Sequence, residues 1–272
     1  MTDVTCGDWL LERVGGWGRV GGVAGVSFEA YARVLHPVPA SLEDLTITDE
    51  WGIHPMLQQT TWRWSHVAER QGLTMHPLVQ WNRLADMHQG VDFEDGWQVG
   101  QTREGHLDQH LLAALAEHLA GATATPRDVA AGIWNGWGEL PAEGVTYADV
   151  LPRTVRQWWE GRRARRARAA AGGDYFAWPD REMHLFATSV EELAGHPAFD
   201  DVSPQMIWPA DHSWVVASEI DWDSTIVAGS RSLVDAVLAD GRLEAYEVDE
   251  DADLTWDGDL VNPPRAGWRA GP

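Results

Sequence analysis

The chain has 272 residues, 44% of them hydrophobic, so it can bury an ordinary core in one large domain or two small ones. It carries 42 acidic residues against 20 basic ones, and the net charge of −22 argues against a nucleic-acid or anionic-membrane surface over most of the chain. All the basic residues are arginine and Cys6 is the only cysteine, which excludes Schiff-base and Walker-lysine mechanisms, an intramolecular disulfide and a cysteine-based zinc cluster.

The first half of the chain predicts one strand and two helices. Residues 31–35 alternate apolar and polar side chains and stop at His36-Pro37, which is typical of a strand. Residues 60–71 suit an amphipathic helix ended by Gly72, and the leucine stripe of residues 107–119 predicts a second helix. The glycine pairs near the N-terminus are typical of loops and turns, without phosphate-loop spacing.

A basic segment follows a buried strand in the middle of the chain. The strand is predicted from residue 129 to an Asn135-Gly136 turn. Residues 153–173 hold 7 arginines and 1 acid, net +6, and predict an exposed helix. A solvated linker is the simplest interpretation of that helix, and the alternative is a dock for an acidic partner or for the protein's own acidic faces. Its candidate contact residues are Trp158, Trp159, Arg162, Arg163 and Arg166.

The C-terminal third gives the clearest pattern. Residues 212–220 alternate like a strand, turn residues follow, and residues 225–228 resume a β-branched run, so a hairpin is predicted. Ser230 or Ser232 can cap the helix that comes next. Residues 243–248 then alternate apolar and charged side chains, which is typical of a strand at the edge of a sheet.

These elements together predict one α+β domain over residues 1–262, with a mixed or mainly antiparallel sheet flanked by helices. Residues 153–173 form an Arg-rich helical excursion from that domain. Residues 263–272 are rich in proline and glycine and form a loosely ordered tail.

Three carboxylates stand close together in the turn of the predicted hairpin. Asp221 and Asp223 match the haloacid dehalogenase pattern, in which the first Asp is a nucleophile and the second a general acid at a magnesium site. That chemistry also uses a lysine, which this chain lacks. Glu219 projects from the same side of an extended chain, so a weak calcium or magnesium site is allowed, although solvated turn acids are the simpler interpretation. A metal-assisted hydrolase would add Asp211 or His212.

Tryptophan and histidine are the other residues that could form a site. The chain has 17 tryptophans, which are packing residues when buried and a platform for a sugar or a peptide when exposed. His106 and His110 have the spacing of zinc ligands on a helix, but no third ligand is identifiable, so exposed helix histidines are the simpler interpretation. Nothing in the sequence indicates a cofactor.

Four segments resemble those of an actinobacterial family of uncharacterised proteins: YARVLHP at 31–37, IWNGWG at 133–138, WPADHSW at 208–214 and EIDWDST at 219–225. The resemblance covers most of the chain and leaves out the Arg-rich segment. It implies no activity, since none is assigned to that family, and it favours a non-catalytic role only by association.

The location follows from the absence of a membrane-spanning or leader pattern. No apolar run approaches the roughly 20 residues that cross a bilayer, and the N-terminus carries acids where a leader has a basic region. We therefore expect a cytoplasmic protein without a membrane partner.

The predicted function follows from charge more than from any motif. We predict an intracellular, acidic protein-binding module of the immunity or adaptor type, without catalysis, that engages a basic protein and not a nucleic acid. The alternatives are a metal-assisted hydrolase using Asp221 and Asp223, and a Trp-lined sugar or peptide binder.

Overall fold

The computed structural model describes residues 4–86, 89–136, 175–193 and 203–265. These residues form an α+β fold with two antiparallel sheets, which confirms the predicted fold class. The predicted Arg-rich excursion at 153–173 lies outside the described residues, as does most of the predicted tail. The start of that tail is described: the Arg265 guanidinium donates to Gln71 Oε1 over 3.0 Å and to the Leu84 carbonyl over 2.8 Å.

The helices and strands have the following bounds. A 3-10 turn at Val4–Gly7 precedes helices α1 Asp8–Leu11, α2 Val20–Ala24, α3 Trp64–Gln71, α4 Trp81–Leu84, α5 Gln109–Gly121 and α6 Arg231–Ala239. The strands are β1 Ala30–Leu35, β2 Val38–Glu43, β3 Met56–Trp62, β4 Val91–Asp92, β5 Trp97–Val99, β6 Val129–Trp134, β7 Phe176–Trp178, β8 Arg181–Thr188, β9 Met206–Pro209, β10 Val215–Ser218, β11 Ser224–Gly229 and β12 Ala245–Val248.

The larger sheet has eight strands in the order β12-β1-β11-β10-β9-β6-β8-β7. The predicted hairpin supplies two of its interior strands, with β10 antiparallel to β11 and Val216 opposite Val227. β12 lies at one edge, as its alternating sequence predicts. Ser230 caps α6 by accepting a hydrogen bond from the Leu233 amide over 3.3 Å.

Helices cover both faces of this sheet. On one face, Leu115 and Leu119 of α5 share a buried core with Val234 and Val237 of α6. The other face packs against the N-terminal segment that carries α1 and α2, around the fully buried Trp208. Each buried leucine contributes roughly 2 kcal/mol of transfer free energy, so these two cores hold the sheet between its helical layers.

The smaller sheet has the order β3-β2-β5-β4 and packs on α3 and α4. It follows directly from β1 through His36-Pro37, and the rings of Trp64 and Trp81 lie 5.3 Å apart in its core. The sequence did not predict this sheet, because β4 and β5 are only 2 and 3 residues long and β3 is mostly exposed. Such strands have too little apolar alternation to be recognised locally.

The helix predicted for residues 60–71 is wrong at its start. Residues 60–62 complete β3, and α3 begins only at Trp64. The Glu244 carboxylate fixes that start, since it accepts the amides of Trp64 over 2.7 Å and Ser65 over 2.9 Å. A cap supplied by so distant a residue leaves no local signal. The predicted end is confirmed: Gly72 has a left-handed φ of 66°.

The N-terminal glycines also differ from expectation. Gly21 and Gly22 were predicted in a loop, but both lie in α2. A Cβ atom on Gly22 would stand 2.1 Å from the Gly16 carbonyl oxygen. Glycine at this position therefore permits a close backbone approach between α2 and the preceding loop.

Candidate functional site

The connection between β2 and β3 exposes an unusual amount of apolar surface. We call residues 43–57 the arm. Six large apolar side chains of the arm are exposed to solvent, and Trp51 is the most exposed of them at 78%. They are Leu45, Ile47, Trp51, Ile53, Met56 and Leu57. Exposed apolar patches mark interaction surfaces more often than isolated exposed leucines do, so a segment with six exposed apolar side chains is a candidate surface.

Short-range hydrogen bonds hold the arm in one shape. Asp44 Oδ1 accepts the Thr46 amide over 3.0 Å, and Asp49 Oδ1 accepts the amides of Trp51 over 2.9 Å and Ile53 over 2.8 Å. The Asp49 amide in turn donates to the Ile53 carbonyl over 3.0 Å. The apolar side chains are therefore displayed by an ordered turn, which lowers the entropy lost when a partner covers them.

Two further features of the arm bear on what could bind it. Among the described strands, β3 pairs only with β2, so one side of β3 is an open sheet edge that can accept another strand. Four acids and no arginine occur in residues 43–57. The acids are Glu43, Asp44, Asp49 and Glu50.

A second feature is a cleft of about 720 Å³ beside the larger sheet. Its walls come from the loop before α2, the β7–β8 turn, the β10–β11 turn and the C-terminal loop. Four tryptophans line it: Trp17, Trp178, Trp222 and Trp256. Trp17 is 84% exposed, so its ring is available to a ligand.

The predicted carboxylates do lie in this region, but they face different partners. Arg181 pairs with Glu219 Oε1 over 2.5 Å and with Asp221 Oδ2 over 2.8 Å in the cleft wall. Burial raises the pKa of Glu219, and Arg181 only partly opposes that shift. Two of the three proposed metal ligands therefore hold a guanidinium. No group of three His, Cys, Asp or Glu in the described ranges is arranged to hold a metal ion.

Asp223 lies apart from that pair, in a smaller polar pocket that we call the side pocket. Its volume is about 30 Å³. It is lined by Gln80, Trp81, Asn82, Gln101, Thr102, Glu104, Asp223 and Trp256. Glu104 and Trp256 also line the cleft, so they form a wall common to both cavities.

The side pocket raises the pKa of both its carboxyl groups. Burial raises the pKa of Asp223, against the opposing charge of Arg33 and a hydrogen bond of 3.4 Å from the Thr102 hydroxyl. Glu104 lies in an exposed position in the wall, but the protein around its carboxyl group and the negative charges of Asp223 and Asp221 raise its pKa to about 6. Its charge therefore changes close to neutral pH.

The structure does not bring the remaining hydrolase residues to this site. Asp211 and His212 precede β10, whereas Asp221 and Asp223 follow it, so the length of the strand separates the two pairs. Asp211 accepts the Ala124 amide over 2.6 Å. The His212 ring stacks on an aromatic ring of α1 at 4.1 Å. Both residues have structural partners at the far end of the sheet.

The predicted zinc spacing is not realised on one helix. His106 precedes α5, which begins at Gln109, and the Nε2 of His106 lies 2.8 Å from Arg103 Nη1.

The predicted contact surface lies outside the described residues. It consists of Trp158, Trp159, Arg162, Arg163 and Arg166.

Comparison with protein-family models, curated proteins and solved structures found no match to this chain. The resemblance to an actinobacterial family therefore stays a prediction. Within the described residues, no helix combines the length and the apolar character needed to cross a membrane.

Proposed function

We propose that this protein is a non-catalytic protein-binding module that uses the arm to engage a basic protein. The observation that carries the proposal is the ordered arm, with its six exposed apolar side chains beside an open strand edge. Covering one such side chain fully contributes roughly 2 kcal/mol, so a few of them suffice to anchor a partner.

The charge of the molecule favours a basic protein over other partners. With a net charge of −22, two copies of the chain repel one another, and so do the chain and a nucleic acid. An arm with four acids and no arginine favours a partner with lysines and arginines around an apolar centre. We place this interaction in the cytoplasm, because a chain with a single cysteine depends on no disulfide. An immunity or adaptor role fits such binding.

The open edge of β3 suggests how the partner is held. An extended partner segment can add to β3 as a fifth strand, with main-chain hydrogen bonds supplying register. Side chains of that segment would then cover the apolar residues of the arm, and the arm's acids would pair with basic residues at the rim.

Replacing Trp51 with alanine is expected to weaken partner binding by at least about 30-fold, since an exposed aromatic anchor typically contributes about 2 kcal/mol or more. The partner would be captured from lysate of the source cells at low ionic strength, identified, and titrated by calorimetry. Binding of this partner to the wild-type protein should weaken as the salt concentration rises. Trp17→Ala is the matched control, because Trp17 is similarly exposed but lies in the cleft. This variant should bind the partner as tightly as the wild type does.

Two results would contradict this function. One is that no stoichiometric basic protein is captured at low ionic strength. The other is that a captured basic protein binds Trp51→Ala and the wild type equally well, which would place its contact elsewhere on the surface.

The cleft supports a second candidate function, a Trp-lined binder of a sugar, a peptide or another small ligand. Its volume of about 720 Å³ lies within the roughly 300–1,000 Å³ of ligand pockets, and four tryptophans line it. A ligand that covers Trp17 should change the tryptophan fluorescence, and a Trp17→Ala variant should lose most of that change. Fluorescence that no small ligand alters would contradict this second function.

A further inference from the structure

We propose that the cleft is a binding site for a neutral sugar, with a sugar ring stacked on the exposed tryptophans and its hydroxyl groups donating to the carboxylates of Glu219 and Asp221. This site rests on the second candidate function and names its ligand class. It does not involve the arm.

The four tryptophans of the cleft fall into two pairs. Trp178 is buried and Trp222 is half-buried, and both pack in the core on that face of the larger sheet. Trp17 is 84% exposed and Trp256 is 44% exposed, so large parts of these two rings are open to solvent. Because the hydrophobic free energy grows with the apolar area that is covered, the exposed pair gains most from a ligand. This pair is the platform of the proposed site.

The backbone connects the two loops that carry the exposed rings. The Leu254 amide donates to the Gly18 carbonyl over 2.9 Å. Gly18 directly follows Trp17, and Leu254 stands two residues before Trp256. The rings are therefore displayed on joined loops, which lowers the entropy lost when a ligand covers them. A rigid sugar ring with an apolar face of C–H groups suits such an aromatic platform.

Another wall of the cleft presents carboxylates in fixed positions. Arg181 Nη2 lies 2.5 Å from Glu219 Oε1 and 2.8 Å from Asp221 Oδ2, and Arg181 Nη1 donates to the Asp180 carbonyl over 3.2 Å. The side chains of Glu219 and Asp221 are 20% and 68% exposed, so ligand atoms can reach both. A carboxylate has about four acceptor positions, so each can accept hydroxyl groups of a ligand as well as Arg181. Such charge-assisted hydrogen bonds are roughly twice as strong as neutral ones.

The charges of the cleft argue against other classes of ligand. Its walls carry one cation, Arg181, against five acids: Glu104, Asp180, Glu219, Asp221 and Asp257. This balance repels phosphates, nucleotides and other anions. A cationic ligand would compete with Arg181 for the carboxylates that it already holds.

The two kinds of wall together select a sugar. The platform needs a flat apolar face, and the carboxylates need hydroxyl donors close to that face. A peptide main chain offers a single N–H donor per residue, whereas a neutral sugar ring offers several hydroxyl donors around its edge. The volume of about 720 Å³ accommodates more than one sugar ring.

The experiment titrates three neutral trisaccharides into the full chain, with calorimetry and tryptophan fluorescence as readouts. The probes are cellotriose, maltotriose and mannotriose. At least one is expected to bind with a Kd below about 1 mM and to change the fluorescence. n-Hexanol and a tetra-alanine peptide with blocked ends represent apolar and peptide ligands. Each should bind at least about tenfold more weakly than the best trisaccharide.

Two variants test the two walls separately. Trp17→Ala should weaken binding of the trisaccharide at least about tenfold, because the platform loses its more exposed ring. Asp221→Asn keeps the shape of the side chain and should weaken binding about tenfold, because a charged hydrogen bond is lost. The matched controls are Leu260→Ala, at an apolar residue that is 90% exposed, and Glu191→Gln, at an exposed acid. Neither residue lines the cleft, so both controls should bind as the wild type does.

The outcomes separate sugar recognition from the general function of the cleft. Fluorescence that n-hexanol or the peptide changes, but none of the trisaccharides does, would overturn the sugar site and leave a cleft that binds another ligand. A bound trisaccharide whose affinity either variant leaves unchanged would also overturn the site. Fluorescence that none of these ligands changes would overturn both the sugar site and the second candidate function.

Discussion

The free energy of unfolding of the wild-type protein is expected to fall by about 3 kcal/mol more between pH 7 and pH 4 than that of His36→Gln. His36 is buried in the link between β1 and β2. Its Nδ1 lies 3.2 Å from the Arg103 carbonyl and donates to it. Its Nε2 lies 2.8 Å from the Thr225 hydroxyl, which is 2.7 Å from the Ser218 hydroxyl. Burial favours the neutral ring, and with its proton on Nδ1 that ring accepts at Nε2 from the Thr225 hydroxyl.

The sign of the effect follows from the two pKa values. Burial, together with the nearby His106 and Arg33, lowers the pKa of His36 to about 3 against the opposing effect of the hydrogen bond to the Arg103 carbonyl. The unfolded chain has a histidine pKa near 6.5. The unfolded state therefore takes up a proton first. Stability from this group is full above pH 6.5 and is lost progressively as pH falls towards 3.

Urea unfolding of both proteins at pH 7 and pH 4 measures the difference. Glutamine can keep an acceptor towards Thr225 and a donor towards Arg103, so the variant should fold. His110→Gln, at an exposed histidine, should have the wild-type pH dependence. Parallel curves for the wild type and His36→Gln would contradict this account of His36. Histidine NMR gives an independent readout: the His36 ring should stay neutral at pH 4.5.

Replacing Asp259 with alanine is expected to lower the free energy of unfolding by about 3 kcal/mol. The buried Asp259 carboxylate accepts hydrogen bonds from the amides of Val261 over 3.0 Å and Asn262 over 2.9 Å. It also accepts from Asn262 Nδ2 over 2.9 Å and lies 2.8 Å from His76 Nε2. Alanine would leave these buried donors without an acceptor. It would also release the loop that carries Trp256, a wall of the cleft.

The effect of Asp259 should depend on pH in a defined direction. Burial raises its pKa, but the hydrogen bonds from Asn262, Val261 and His76 outweigh burial and hold the pKa below its usual value. Its stabilisation is therefore full above pH 4, near the pKa of an unfolded aspartate, and is lost as pH falls below that value. Chemical denaturation of the wild type and Asp259→Ala at pH 7 measures the difference in their free energies of unfolding. Asp251→Ala, at an exposed acid of the same C-terminal region, should change stability by less than about 0.5 kcal/mol. A loss under about 1 kcal/mol for Asp259→Ala would contradict the assigned role.

The parts of the fold that the sequence predicted are those with a local period. β10, β11 and α6 were found because apolar residues recur at the strand or helix period and Ser230 supplies a cap. The smaller sheet was missed because its strands are stabilised by pairing across the chain, as between Thr60 and Ala40. A short strand whose partner is distant has no period of its own to recognise.

The candidate site was only partly predictable for the same reason. The sequence singled out Asp221 and Asp223, and both line cavities, but Arg181 pairs with the first and the second lies in the side pocket. Nothing local marks Glu104 or Asn82, which the fold brings to Asp223 from separate segments. The arm did leave a signal: residues 43–57 combine six large apolar residues with four acids and contain no arginine.

Site-specific photo-crosslinking tests the role of the arm most directly. A benzoylphenylalanine at position 58, directly after the arm in the exposed edge strand β3, would be irradiated in lysate of the source cells at low ionic strength. Binding through the arm predicts one basic protein crosslinked from position 58, and none from the same probe at the exposed position 191. No crosslink from position 58, or the same crosslinked proteins from both positions, would contradict it.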